Sequence, residues 1–202
     1  PSITDETDPA SIDEAINMYS PEHGPPYSSA FIQKYREAQL ARNNKITDWV
    51  YTELDRLQAH GMKDRAFNMY RTWADLRLMD GTIDPSDREV GVCYAGKPKQ
   101  ANFGPRGIGL TNTLRTWLSM WSLRDSPCRG APHLAKIKLP ALVIQSLEDT
   151  GVFPGDARNI HDLLGSKDKM LELTQGDHYL TKPANARDKH ADLIADWLNQ
   201  KL

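Results

Sequence analysis

Residues 139–180 read LPALVIQSLEDTGVFPGDARNIHDLLGSKDKMLELTQGDHYL, and this stretch decides the fold of the chain. Its first part, residues 140–146, is a short apolar run with β-branched side chains bounded by proline, which predicts a buried strand. Residues 155–164 place apolar side chains on one face of a helix, and Gly165 ends it. Residues 169–174 alternate in the manner of a second strand. Strand, helix and strand in this order predict a βαβ unit with two parallel strands.

A carboxylate follows the first of these strands, and a histidine follows the second. Asp149, with Glu148 beside it, comes directly after the first strand, and His178 comes after the second. The carboxyl ends of parallel strands meet at one edge of an open sheet, where such sheets build their sites. We therefore expect a carboxylate oxygen of Asp149 within about 2.6–3.2 Å of a ring nitrogen of His178. The alternatives are that Asp149 caps the following helix and that His178 is an ordinary polar loop residue, and Asp177 is predicted to be a turn residue.

This arrangement resembles the C-terminal part of the α/β-hydrolase fold. In that family the triad order is nucleophile, acid and histidine, and the nucleophile stands in a G-x-S-x-G turn. The resemblance covers about residues 137–202. It implies that Asp149 is the triad acid, which orients the imidazole, and that His178 is the general base. It also implies that a final helix, over residues 184–200, closes the sheet.

Two features depart from the pattern of that family. Gln145 and Ser146 stand where the family usually has glycine, which leaves Glu148 as the competing acid. No G-x-S-x-G occurs in the 202 residues, nor does a His-Gly oxyanion segment after an apolar strand. The nucleophilic serine is therefore expected on an N-terminal polypeptide of the same enzyme. Because the chain begins at Pro1 rather than at methionine, we expect it to be one half of a proteolytically processed heterodimer.

The composition excludes several classes of partner. A formal net charge of −2 and a pI near 6.3 give no basic field that would attract nucleic acid or an anionic membrane. No run of about 18 apolar residues is present, so no membrane span is predicted. The histidines share no metal-ligand spacing and no paired C-x-x-C occurs, so neither a metal nor another cofactor is expected. Cys93 and Cys128 predict two reduced thiols in a cytoplasmic protein, with a single disulfide as the alternative.

The chain is predicted to be α/β and to have three parts. Residues 1–27 form an N-terminal segment, residues 28–136 a helical cap region, and residues 137–202 the C-terminal α/β core segment. The fold class is thus the C-terminal part of an α/β-hydrolase with a largely helical cap. A mean hydropathy of −0.60 fits this division, because much of the buried parallel sheet would lie on the other polypeptide.

Apolar spacing predicts the helices of the cap region. A first helix begins at Ser28 or Ser29 and continues to His60. A second helix over residues 63–79 would complete an α-hairpin, and a third would cover residues 111–123. The residues between them, 80–107, are polar and rich in glycine and proline, which is typical of a long functional or disordered loop.

Four aromatic residues are candidates for contact with a substrate. Trp117 and Trp121 lie four apart on one predicted helix face, where they either pack in the core or line an apolar pocket. Tyr94 and Phe103, in the long loop, are weaker candidates for the same lining. This aromatic content favours a small-molecule substrate that carries an apolar or aromatic group.

The predicted function is hydrolysis of an ester or amide through a Ser-Asp-His triad, active only with the N-terminal half. The resemblance does not choose the bond type, because one fold supports many reactions. A second hypothesis is a non-catalytic helical module that binds a protein partner and ends in a small α/β tail. A third is an enzyme with a different nucleophile, which requires Cys93 or Cys128 near His178.

Overall fold

A computed structural model of the chain describes residues 8, 10–105, 107 and 109–201, so part of the predicted N-terminal segment lies outside the described residues. The protein is mixed α/β, with 42% helix and small sheets. It divides into two compact units. The first contains the residues up to Leu76 together with Ala95–Cys128, and the second contains Arg77–Tyr94 and the residues from Arg129 onward. In the described part of the chain, no helix combines the length and the apolar character needed to cross a membrane.

The first unit is dominated by one long helix, α1, Ser29–Ala59. The Ser28 hydroxyl accepts a hydrogen bond from the Phe31 N–H at 3.2 Å, which satisfies one of the N–H groups that a helix leaves open at its start. Gly61, at φ 72°, follows the helix in the left-handed conformation that glycine adopts readily. The predicted first helix is confirmed. The chain also has two 3-10 turns, Glu14–Ile16 in this unit and Leu76–Leu78, whose last two residues belong to the second unit.

A small antiparallel sheet replaces the predicted second helix. Its strands are β1, Ala66–Asn68, and β2, Thr111–Thr113. Arg71 has a φ of 62°, a left-handed conformation that interrupts any helix over residues 63–79. The predicted α-hairpin was wrong because it depended on local apolar spacing, whereas β1 is set by a pairing partner far along the chain.

Two further helical segments differ from their predicted extents. α2, Pro98–Phe103, lies within residues 80–107, which the sequence indicated to be a loop. In the predicted third helix, the first three residues belong to β2, and α3 covers only Leu114–Thr116. The Thr113 hydroxyl accepts from the Thr116 N–H at 3.2 Å and so caps this helix directly after the strand. A π-helical turn, Trp117–Trp121, continues it.

Apolar side chains from α1, from β1 and the residue after it, from α3 and from the π-helical turn form the core of the first unit. Its buried members are Ile46, Trp49, Val50, Leu57, Phe67, Met69, Leu114 and Trp117. Leu54, Leu118 and Trp121 are partly buried against them. Burial of one such side chain stabilises a fold by about 1.5–3 kcal/mol, so this cluster contributes substantially to the stability of the unit.

The second unit contains the βαβ arrangement that its sequence predicts. A short helix, α4, Ala131–Leu134, precedes the strand β3, Ala141–Ser146. β3 is parallel to β4, Lys169–Thr174, and α5, Pro154–Leu163, connects them. The unit ends with α6, Ala186–Lys201. The two strands, the connecting helix and the final helix are confirmed, each within two residues of its predicted bounds.

The second unit exposes apolar surface. Its sheet has two strands among the described residues, and the first four residues of β3 are only half-buried. Leu139, just before β3, is 75% exposed, and Ile194 and Leu198 on one face of α6 are each 43% exposed. A strand that is apolar at successive positions is typical of a sheet covered on both faces. The described chain therefore leaves surface on this unit that resembles the interior of a larger sheet.

Candidate active site

The loops that follow β3 and β4 lie side by side. The Leu147 N–H donates to the Thr174 carbonyl at 2.8 Å, and the Glu148 N–H donates to the Gly176 carbonyl at 3.0 Å. Parallel pairing therefore continues past both strand ends. It brings the residue after Glu148 next to the loop that carries His178.

Asp149 is buried and fixed by the backbone of its own loop. The residue is 6% exposed, and its Oδ1 accepts from the Gly151 N–H at 2.7 Å and from the Val152 N–H at 3.1 Å. Short polar side chains often cap a turn in this way. The carboxylate is thus held in one orientation by a turn that precedes α5, whose N-cap is Phe153, so the alternative that Asp149 caps this helix was wrong.

The histidine occupies the remaining side of this carboxylate. His178 Nδ1 lies 2.9 Å from Oδ1 and 3.1 Å from Oδ2 of Asp149, within the distance expected from the sequence. The side chain of Asp149 is 8% exposed and that of His178 is 29% exposed. A buried acid thus contacts a histidine that solvent and a reacting molecule can reach.

The protonation of the imidazole follows from its partner. An ionised carboxylate only accepts hydrogen bonds, so the proton of neutral His178 lies on Nδ1. The other ring nitrogen, Nε2, then carries a lone pair that accepts a proton. This is the tautomer that a general base needs in a Ser-His-Asp triad.

Asp177 holds the turn around His178. Its Oδ1 accepts from the Thr181 N–H at 2.6 Å, and its Oδ2 accepts from the Thr181 hydroxyl. The hydroxyl bond is the main reason why the pKa of Asp177 lies below its usual range. The contacts are those of a turn residue, as predicted.

Asp149, rather than Glu148, places its carboxylate beside the imidazole. The carboxylate that contacts the imidazole belongs to Asp149, whereas Glu148 contributes its backbone N–H to the paired loops. Gln145 stands where the α/β-hydrolase pattern has glycine. Its side chain is buried and donates hydrogen bonds to the carbonyls of Ser146 at 2.8 Å and Val152 at 3.4 Å. Its amide thus ties the end of β3 to the loop of Asp149.

Aromatic rings surround the imidazole. Tyr94 stacks on His178 with the ring centroids 4.5 Å apart and an interplanar angle of 8°. Tyr179 meets the same imidazole edge-on, at 4.9 Å and 81°. The sequence predicted that Tyr94 contacts a substrate, but it did not predict the contact of Tyr94 with His178. The only hint was the apolar run Val-Cys-Tyr, residues 92–94, within a polar loop.

The other predicted substrate contacts lie in the first unit. Trp117 is 4% exposed within the core, and its indole N–H donates to the Thr47 hydroxyl at 3.2 Å, which agrees with the packing alternative. Trp121 is partly buried against the same core. Phe103 lines a cavity of about 410 Å³ within this unit, together with Ile12, Ile16, Met18, Tyr19 and Tyr35.

The cysteines give little support to the hypothesis of a thiol nucleophile. Cys93 is buried, with 1% of its surface exposed, so a substrate does not reach its sulfur. Cys128, in the first unit, is exposed, and both residues are thiols rather than half-cystines. Among the described residues, no group of three or more His, Cys, Asp or Glu side chains is arranged to hold a metal ion.

No protein-family model, curated protein or solved structure matches this chain. Its chemistry is therefore inferred from the second unit itself. There, a buried carboxylate fixes one tautomer of a solvent-accessible imidazole at the carboxyl ends of two parallel strands. Such a pair can take a proton from a nucleophile and return it to a leaving group.

Proposed function

We propose that this chain supplies the acid and the histidine of a serine α/β-hydrolase. The observation that carries the proposal is the contact of 2.9 Å between Asp149 and His178, which follow neighbouring parallel strands in the order acid then histidine. The final helix α6 and the connecting helix α5 agree with the C-terminal part of that fold. Asp149 is the triad acid and His178 the general base.

The nucleophilic serine comes from polypeptide outside these 202 residues, since no G-x-S-x-G occurs among them. The apolar surface of the second unit supports this part of the proposal. Leu139 and the exposed face of α6 would be covered when further strands extend the sheet beside β3 or β4. An interface of that kind is obligate and core-like, and such interfaces bury more than about 2,000 Å².

The proposed reaction proceeds through an acyl-enzyme. The serine hydroxyl attacks the carbonyl carbon while His178 Nε2 takes its proton. Asp149 stabilises the imidazolium that forms, and the imidazolium then protonates the leaving alcohol or amine. Water attacks the acyl-enzyme in a second half-reaction with the same histidine as base, which releases the acid and restores the serine.

The proposed substrate is an ester or amide with an apolar or aromatic group. Tyr179, which meets the imidazole edge-on and is 58% exposed, supports an apolar or aromatic group beside His178. The activity assay, rather than the fold, identifies whether the cleaved bond is an ester or an amide.

A second candidate function is that of a non-catalytic module that binds a protein. The exposed apolar side chains of Leu139, Ile194 and Leu198 favour it, because such side chains also mark recognition surfaces. The two candidates differ in what His178 does. A binding module does not need an imidazole held in one tautomer beside a buried acid.

The test uses the native assembly, which is this chain together with the polypeptides that purify with it. Hydrolysis of p-nitrophenyl esters of alkyl and aromatic acids is measured for wild type and for His178→Ala. Loss of the base should reduce turnover by about 10³- to 10⁶-fold, because the triad residues act as a unit. His161→Ala is the matched control, since His161 lies on α5 of the same unit and contacts the largely exposed Asp162. Near-normal hydrolysis by His178→Ala would refute the proposal.

A further inference from the structure

The stacked ring of Tyr94 is the most specific contact of His178 apart from Asp149. A parallel stack at 4.5 Å and 8° covers one face of the imidazole. Nδ1 faces the carboxylate, and the edge-on Tyr179 adds a second aromatic contact. The ring of His178 can therefore rotate only if the stack with Tyr94 is broken.

Tyr94 ends a segment, Arg77–Tyr94, that is held together by a buried arginine. Arg88 is 5% exposed, and its guanidinium donates at 2.5–3.2 Å to the backbone carbonyls of Arg77, Asp80, Ile83 and Asp84. Such bonds from one charged group hold several carbonyls at fixed distances from one another. The segment lacks regular secondary structure beyond a 3-10 turn, yet it has a defined shape.

The same segment is attached to the start of α5, just after the acid. Asp84 accepts from the Gly155 N–H with both carboxylate oxygens, at 2.8 and 3.0 Å. Arg77 contacts the carboxylate of Asp156 at 3.0 Å. The Arg77 guanidinium also lies 4.2 Å from the ring centroid of Phe153. One end of the segment is thus attached to α5, and the other end places Tyr94 on His178.

Gly151 leaves the space that this contact needs. A Cβ at residue 151 would lie 2.6 Å from Cδ1 of Tyr94 and 3.1 Å from Nδ1 of His178. Both are shorter than ordinary van der Waals contacts. A methyl group there would push the two rings apart without removing either of them.

We infer that Tyr94 is a positioning residue, placed by the segment Arg77–Tyr94, that keeps the His178 imidazole aligned with Asp149. This inference rests on the proposed function, because alignment matters only where His178 transfers a proton. Tyr94 acts through the imidazole and not on the substrate. It should therefore affect kcat rather than KM, which contrasts with a role in substrate binding.

The test compares Tyr94→Leu, Tyr94→Phe and Gly151→Ala in the native assembly. Tyr94→Leu removes the ring, and the displaced imidazole should lower kcat by about 10- to 100-fold with KM nearly unchanged, since a misplacement near 1 Å has an effect of that size. Tyr94→Phe retains the ring and should restore kcat. Gly151→Ala should reproduce the loss, and it keeps the test decisive if Tyr94→Leu fails to fold. Tyr51→Leu, at an exposed tyrosine of α1, is the control that should behave as wild type.

A second measurement separates this inference from the proposed function. The ring protons of His178 are observed by NMR in the assembly with isotope-labelled histidine, because a stacked tyrosine shifts them upfield. Loss of that shift in Tyr94→Leu, together with lower kcat and rescue by Tyr94→Phe, supports the inference. If His178→Ala abolishes hydrolysis while Tyr94→Leu and Gly151→Ala retain full kcat, the positioning role of Tyr94 is overturned and the proposed function is not. An assembly in which His178→Ala hydrolyses normally overturns the proposed function, whatever the NMR spectrum of Tyr94→Leu.

Discussion

Replacing Asp149 with asparagine changes the charge of the acid and almost none of its shape. The amide oxygen can keep the hydrogen bonds from the Gly151 and Val152 N–H groups. In the wild-type protein these nitrogens lie 2.7 and 3.1 Å from Asp149 Oδ1. The amide nitrogen then faces His178 Nδ1, where it can only donate a hydrogen bond. The oxygen in the place of Oδ1, 2.9 Å from Nδ1, can still accept a hydrogen bond from it, but the donating amide nitrogen favours the tautomer with its proton on Nε2. That tautomer is unable to accept a proton from a serine.

The size of the two expected effects distinguishes catalysis from stability. A hydrogen bond to a charged group contributes about 1.5–3 kcal/mol, so Asp149→Asn should lower the free energy of unfolding by no more than that. Turnover should fall by about 10⁴-fold, the loss that this replacement causes in a Ser-His-Asp triad. A 10⁴-fold loss corresponds to about 5.4 kcal/mol of activation free energy. Destabilisation of the fold alone does not explain a loss of that size in protein that remains folded.

The assay measures ester hydrolysis by the assembly at equal folded concentration, verified by thermal unfolding. Nitrogen NMR of labelled histidine reports whether the proton of His178 has moved from Nδ1 to Nε2. Asp162→Asn is the matched control, because Asp162 contacts the neighbouring His161 at 3.3 Å but its side chain is 79% exposed. An exposed pair of this kind contributes little, and the control should keep wild-type turnover. Turnover of Asp149→Asn within tenfold of wild type would contradict the role of Asp149 as the triad acid.

Two further predictions concern the stability of each unit. Trp117→Ala should lower the free energy of unfolding by about 3–5 kcal/mol, because it empties a core position. Denaturant titration measures this loss, with Tyr51→Ala at an exposed position as the control. A loss below about 1 kcal/mol would contradict the assignment of Trp117 to the core. Asp177→Asn should lower the melting temperature near neutral pH. Since the Thr181 hydroxyl lowers the pKa of Asp177, its stabilising contribution is complete above the unfolded pKa of about 3.9 and is lost as pH falls through the lower folded pKa. The melting temperatures of wild type and variant should therefore converge below that range, and a constant difference at all pH values would contradict the assignment.

The βαβ part of the second unit was predictable because its determinants are local. Pro140 and the apolar run after it mark β3, the spacing of apolar residues marks α5, and alternation marks β4. Once two strands are parallel, their carboxyl ends coincide, and this places Asp149 near His178 without knowledge of any other contact. The carboxylate that contacts His178 also followed from the sequence, although Glu148 stood one residue away.

The rest depended on contacts between residues that are distant in sequence. β1 forms because Ala66–Asn68 pairs with Thr111–Thr113, and the helical spacing of residues 63–79 does not reveal that partner. In the same way, Tyr94 reaches His178 only because Arg88 folds its segment and Asp84 attaches it to Gly155. Single-sequence patterns contain periodicity and turn chemistry, but they do not contain the identity of a tertiary partner.

The proposed division of the triad between two polypeptides is tested most directly by the site of covalent labelling by a fluorophosphonate. The native assembly is treated with the reagent, which phosphonylates an activated serine, and peptide mass spectrometry locates the adduct. We expect a single adduct on a serine outside these 202 residues, formed with wild-type His178 and lost in His178→Ala. An adduct on a serine within these 202 residues, or an assembly that hydrolyses esters without any adduct, would contradict this division.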